Sequence, residues 1–286
     1  MTKKTQKQKT ISSRIPVISI LSGSCLLAYL FVSAPPPLEL DNHEQAQTIP
    51  ISTALTILAT ENASARKLYT QEIVSKGLDL GWEFSEDWNQ SDVNAGPLPA
   101  LFLRQTARSI ERDVLPIGLF LGSNYPIESS NKFSGIQASH FETMINSQQS
   151  EHHFYSEDTK LYTSMFTDIA INASCVDCHN QHAQSAKTNW RMMDIMGATT
   201  WTYPKSHVSA RELIQMISVF RTAVRSTWIE VLEESKTWPN SPAIGEYWPR
   251  SGYYLPDETT FMNALESDVS RKTLQLLLEE HNRDEA

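Results

Sequence analysis

An α+β fold built on an antiparallel sheet is what this 286-residue sequence predicts. Apolar residues recur at helical spacing in several separate stretches. Two runs rich in Tyr, Phe, Thr and Ile, split by a polar turn, read as a hairpin. Helix, helix, strand, helix, hairpin and strand then follow one another, an order that suits helices packed on an antiparallel sheet. With 40 % hydrophobic residues the chain has the material for a core, which argues against wholesale disorder.

Taken in order, residues 1–14 form a basic tail with Lys3, Lys4, Lys7, Lys9 and Arg14 and no acid. Ile15–Ala34 carries no charge and matches the roughly 20 apolar residues that a helix needs to cross a bilayer. A retained transmembrane anchor is the preferred reading. A cleaved signal peptide and a lipid-bearing Cys25 are the alternatives. Pro35, Pro36 and Pro37 directly after the small residues 32–34 disfavour cleavage, and Ser22 stands where a lipidation signal wants a branched apolar residue. The positive-inside rule places the N-terminus in the cytoplasm and the rest beyond a bacterial inner membrane, in the periplasm. Residues 35–50 read as a proline-bearing linker.

The body divides into 51–207 and a mostly helical extension, 208–286. A helix is predicted over about 52–77, with Leu55, Leu58, Ala65, Leu68 and Ile73 inward and Gly77 as its stop. A second helix, from residue 98 to about 114, turns Leu101, Leu103, Ala107 and Ile110 inward and lines Arg104, Arg108 and Arg112 outward. Residues 115–123 read as a strand, 136–149 as a helix, 152–158 and 160–171 as a hairpin turning near Glu157 and Asp158, and 195–204 as a strand stopped by Pro204. After 207 comes the clearest amphipathic helix of the chain. Leu213, Ile217, Phe220, Val224, Trp228 and Val231 make one stripe, and Ser209 with Glu212 has the form of a capping box. The stripe is a candidate docking surface for a signalling partner, or a face packed on its own domain. A last helix, from 259, ends in solvated charge.

Net charge is −9 overall, and the basic tail leaves the body more acidic still. Phosphate backbones would repel such a body, which excludes nucleic acid as a ready partner. Outside the anchor the cysteines are Cys175 and Cys178, so the exported body is not stapled by disulfides. They lie in Cys175-Val176-Asp177-Cys178-His179, which fits the attachment pattern of c-type haem. In that pattern two thiols add across the two vinyl groups of one porphyrin edge. The histidine after the second thiol lies beneath the iron as its axial ligand. A zinc site needs four placed ligands, and adjacent Cys178 and His179 share one ion awkwardly. A redox-active pair wants a thioredoxin-like βαβ setting, which is missing. A plain disulfide is the remaining alternative.

Five stretches in order, 96–107, 118–135, 162–168, 175–190 and 194–204, resemble the Tll-type family of c-type haem domains. The resemblance covers about residues 60–207 and not the extension. It implies a PAS/Cache-like domain, often behind a membrane anchor, with one covalent haem c held by Cys175 and Cys178 as thioethers and His179 as proximal ligand. Two departures stand out. Ser185-Ala186-Lys187 replaces the family's Ser-Pro-Lys, which predicts a looser turn. The first helix has no Cys, His or Met, although some members place their distal thiolate there.

The sixth iron position therefore has only scattered candidates: Met165 on the hairpin, and His140, Met144, His152, His153, Met192, Met193 and His207. Arg104, Arg108, Arg112, Lys187 and Arg191 are candidate partners of haem propionates. One haem in so large a body suggests a redox or diatomic-gas sensor signalling through a partner. The alternative is a monohaem electron-transfer cytochrome. A haem enzyme would want a distal His/Arg pair, to which no spacing points.

Overall fold

A computed structural model describes residues 48–284, apart from 239, 240, 251 and 253. The expected tail (1–14), anchor (15–34) and all but the end of the linker (35–50) lie outside the described residues. Among the described residues no helix is long and apolar enough to cross a membrane.

Strand β1 (Thr48–Pro50) leads into helix α1 (Ile51–Leu68), which Pro50 opens. The same helix continues as a π-helical segment, Tyr69–Ser75, and a final α turn, Lys76–Asp79. Gly77 is not its stop. The chain turns out at Gly81, whose φ of 83° suits glycine, while the Trp82 and Gly81 amides cap the Gly77 and Leu78 carbonyls. Gly77 lacks a Cβ for another reason: the rings of Trp82 and Phe84 lie against it. Strands β2 (Phe84–Ser85) and β3 (Gly96–Pro97) form a small parallel pair. Helix α2 (Pro99–Ile110) starts with proline at its first position, where no amide is needed. It buries Phe102, Leu103, Thr106, Ala107 and Ile110; Phe102 takes the inward place expected of Leu101 and stacks on Tyr69 at 4.2 Å.

The central sheet holds β4 (Gly118–Gly122), β5 (Glu151–Ser156), β6 (Leu161–Ile169) and β7 (Ile195–Tyr203), in the order β4-β7-β6-β5 and antiparallel throughout. Its side chains alternate between the two faces, up to an irregularity between Asp168 and Ile169 at the end of β6. Leu119, Leu121, Tyr162, Phe166, Trp201 and Tyr203 join the main core with α1 and α2. Phe120, Met165 and Ala198 join a smaller core on the other face, under α3 (Gly135–Asn146), with Phe133, Phe141 and Met144. At the β4 edge a Cβ on Gly197 would strike the Gly122 carbonyl oxygen. Gly197→Ala is expected to cost about 1–3 kcal/mol by overpacking, read as a lowered thermal midpoint; an unchanged midpoint would contradict the packing.

Helix α4 (Ala173–Gln181) connects β6 to β7, and β8 (His207–Ser209) pairs with β1. The C-terminal helices are α5 (Ala210–Ser235) and α6 (Glu258–Asp284). The Ser209 hydroxyl accepts the Glu212 amide at 3.2 Å as expected of the cap. The other half of the box is not made, because the Glu212 carboxylate takes the Tyr203 hydroxyl and Lys205 instead. Leu213, Phe220, Val224, Trp228 and Val231 are buried in one cluster with residues of α1, α2 and α6. The stripe read as a candidate docking surface is thus filled by the chain's own helices. Charge ties the same layer. Fully buried Glu61 of α1 takes a two-pronged pair of bonds from Arg221 of α5, at 2.7 and 2.9 Å, and Glu266 of α6 lies 3.6 Å from the same guanidinium.

Candidate functional site

The excursion between β6 and β7 is closed at its base. The Ala170 amide donates to the Asp194 carbonyl at 3.0 Å, and the Met193 amide donates back to Ala170 at 2.9 Å. Inside that clamp, α4 sets Cys175, Cys178 and His179 at positions i, i+3 and i+4, which share one helix face. The Cys175 amide bonds the Asn172 carbonyl at 3.1 Å to start the helix. Neither cysteine is in a disulfide; Cys178 is exposed and Cys175 half-buried.

Two polar clasps hold the far end. Asn180 donates to the Trp190 carbonyl at 3.0 Å and accepts the Trp190 amide at 2.8 Å. His182 accepts the Gln184 amide at 3.2 Å and turns its other ring nitrogen toward Glu86 at 3.5 Å. The Ser185-Ala186-Lys187 turn is closed rather than loose: the Ser185 hydroxyl donates to the Lys187 carbonyl at 2.9 Å, and the Lys187 ammonium lies 3.6 Å above the Trp190 ring. A cation over an indole face is held by the ring quadrupole.

On the α1 side, Arg66 pairs with Asp168 at the end of β6, at 2.8 Å. Asn172 reaches Ser75, the last residue of the π-helical segment, at 3.5 Å. The irregular part of α1 therefore faces the entry to α4, in keeping with the habit of π-helical turns at functional sites. None of these partners was found by sequence reasoning. Asp168 lay in a stretch carrying the family resemblance, but pairings such as Asn180 with Trp190 leave no periodic signal.

Burial shifts Cys178 and His179 toward their neutral forms. Burial pushes the His179 imidazole below its ordinary pKa, while Asp168 pulls the other way. Partial burial of the Cys178 sulfur pushes its thiol up, helped by Glu86 and Cys175. His179 Nδ1 and Trp190 Nε1 are buried with no hydrogen-bond partner among the described residues, and their rings meet edge-on at 6.4 Å. Buried side-chain nitrogens without a partner also occur at Trp201, Trp228 and Trp238 in the core, so the pair at α4 marks burial and is not by itself the sign of a ligand. Two thiols and an imidazole spaced along one helix fit a covalently held haem. Zinc fits less well, since no group of three or more His, Cys, Asp or Glu gathers among the described residues. A thioredoxin-like setting is excluded, because α4 joins two antiparallel strands.

Six of the eight candidates for the sixth position are engaged elsewhere, Met165, Met144, His140, His152, His153 and His207. Met165 is fully buried in the cluster under α3. It leaves β6 on the face opposite Asp168, since three residues along a strand reverse the side. Met144 lies in the same cluster, and His140 and His152 are hydrogen-bonded to each other. His153 bonds Ser164 at 2.7 Å, and His207 bonds Ser206. Met192 and Met193 are exposed.

No curated protein and no solved structure matches the chain. The family model described as Tll0287-like matches residues 43–204, starting before the stretch that carried the resemblance and ending with β7. Matched over more than half its length, the chain belongs to the Tll0287-like family of c-type haem-binding domains.

Proposed function

We propose that this is a membrane-anchored, periplasmic, single-haem c protein that senses redox state or a diatomic gas and signals through a partner protein. Cys175 and Cys178 carry the haem as thioethers, and His179 is its proximal ligand. The sheet with helices on both faces serves as a PAS/Cache-like sensor body, and the chain is a binding module rather than an enzyme. What supports the attachment is the single helix face of α4 that presents both thiols and the imidazole together. What favours sensing over electron transfer is the scatter of the distal candidates, which leaves the sixth position to water or an incoming ligand. When bound, the haem would supply an iron able to change oxidation state and to take such a ligand. The protein's part is to fix His179, to exclude water with Trp190, and to carry any strain at α4 into α1 through Arg66 and Asp168.

The test is the ultraviolet–visible spectrum of the body from residue 38, matured in a haem-attaching periplasm, ferric and ferrous, with and without CO and NO. A ferrous Soret band that shifts with gas is the expected result. Sharp low-spin bands indifferent to both gases would overturn sensing in favour of the electron-transfer cytochrome.

A further inference from the structure

The seam between α3 and the sheet holds a second set of metal-binding side chains, on the sheet face turned away from Asp168. His140 Nδ1 and His152 Nε2 point at each other across 2.9 Å. His140 is stacked on Phe154 at 3.8 Å, which fixes its ring. Phe154 in turn packs on the buried cluster that contains Met144 and Met165. Met144 follows His140 by one helical turn, and Met165 stands directly across from His152 in the β5–β6 register. Both methionines are fully buried. Helical spacing and strand register thus set two methionines as neighbours of the imidazole pair.

Nitrogens bound to a common ion at about 2.0–2.1 Å lie roughly 3.3–3.6 Å apart. Opening the pair by about half an ångström would seat an ion between them. Among the described residues no third His, Cys, Asp or Glu joins them. That donor set suits neither zinc, which wants four ligands, nor a hard cation, which wants oxygen. Imidazole with thioether suits soft, low-coordinate copper(I).

We propose that His140 and His152 bind one copper(I) ion, with a thioether of Met144 or Met165 as the third ligand. Binding breaks the hydrogen bond between the rings. The donor ring moves its proton to its outer nitrogen, so both facing nitrogens coordinate as neutral imidazoles and no net proton is released. The site is independent of the haem reading, and its test keeps the two apart.

The test uses the full chain carrying Cys175→Ser and Cys178→Ser, so that the thiols cannot compete. Copper(I) is titrated without oxygen against a chromophoric copper(I) chelator, with folding followed by circular dichroism. One equivalent is expected to bind. His140→Phe and His152→Phe should each weaken it by about 100-fold or more, and Met144→Leu with Met165→Leu by about 10-fold. Absorption at the copper edge should show two nitrogens and one sulfur. Where a phenylalanine variant does not fold, His140→Asn serves in its place. Where the serine-substituted chain does not fold, the parent chain with its thioethers formed is titrated instead. Uptake unchanged by the histidine variants, no uptake at all, or zinc(II) bound more tightly than copper(I) would each overturn the proposal.

Discussion

The chain carrying both Cys175→Ser and Cys178→Ser is expected to leave a haem-maturing periplasm with no covalent haem, whereas the parent chain stains for haem after denaturing electrophoresis. The effect is all or none because of bond type. A thioether survives denaturation, and a serine hydroxyl does not add across a vinyl group under conditions where a thiol does. Each single variant keeps one attachment point and should stain more weakly than the parent. The two positions differ in setting: Cys178 is exposed, while Cys175 is half-buried at the start of α4. His179→Gly gives the complementary result. Both thioethers remain, so staining persists, but the spectrum becomes high-spin for want of the axial imidazole, and added imidazole should restore it. That rescue distinguishes a ligand from a residue that merely holds α4 in place. Staining that persists in the double variant would overturn the assignment. So would a parent chain without stain when a control cytochrome matures normally, and the cluster would then revert to disulfide or zinc chemistry.

How much of this was legible in the sequence depends on how local the cause is. The spacing of Cys175, Cys178 and His179 was legible because it is confined to five adjacent residues, and the structure sets all three on one helix, α4. The Ser209 cap was legible for the same reason, and the capping partner was not. Glu212 turned to Tyr203 and Lys205, which no window around Ser209 reveals. Burial desolvates the Tyr203 phenol and raises its pKa, with the Glu212 carboxylate adding to the effect, so that hydroxyl stays protonated as a donor. The strands β5, β6 and β7 were legible from their richness in Tyr, Phe, Thr and Ile and from the turn and the proline that bound them. Alternation along β6 puts Met165 and Asp168 on opposite faces, and the Arg66–Asp168 pair, which ties α1 to the end of β6, lies on the face away from Met165. The π-helical segment Tyr69–Ser75 left no mark, since one extra residue in a turn changes neither composition nor the run of apolar residues. Gly77 was mistaken for a stop because glycine serves both as a left-handed cap and as a gap for rings.

The stripe on α5 shows the limit most clearly, since periodicity says that a face is buried and not what buries it. The family match ends at 204, which taken alone predicts that the chain stopped after Ser209 would fold as a complete domain. The packing predicts the opposite. Trp228 of α5 has no exposed surface, stacks on Phe261 of α6 at 4.4 Å and meets Tyr69 of α1 edge-on at 6.4 Å. Removing α5 and α6 uncovers Tyr69 and Phe102, which pack on Trp228 and Phe261, and with them the rest of the layer that α1 and α2 share with those helices. It also leaves Glu61 buried without Arg221. Each large apolar side chain so exposed forfeits about 1.5–3 kcal/mol, and several together exceed the roughly 5–15 kcal/mol by which a domain is stable. The chain stopped after Ser209 is therefore expected to be unfolded or insoluble, with no cooperative thermal transition. Trp228→Ala gives the graded version, a loss of about 3–5 kcal/mol read from denaturant unfolding. Tyr69 opens the π-helical segment that faces α4, so a weakened Trp228 contact should also broaden the Soret band of the haem-loaded chain. If the shortened chain melts cooperatively and carries its haem, α5 and α6 are a separable appendage and their stripe is free to be read as a partner's surface after all.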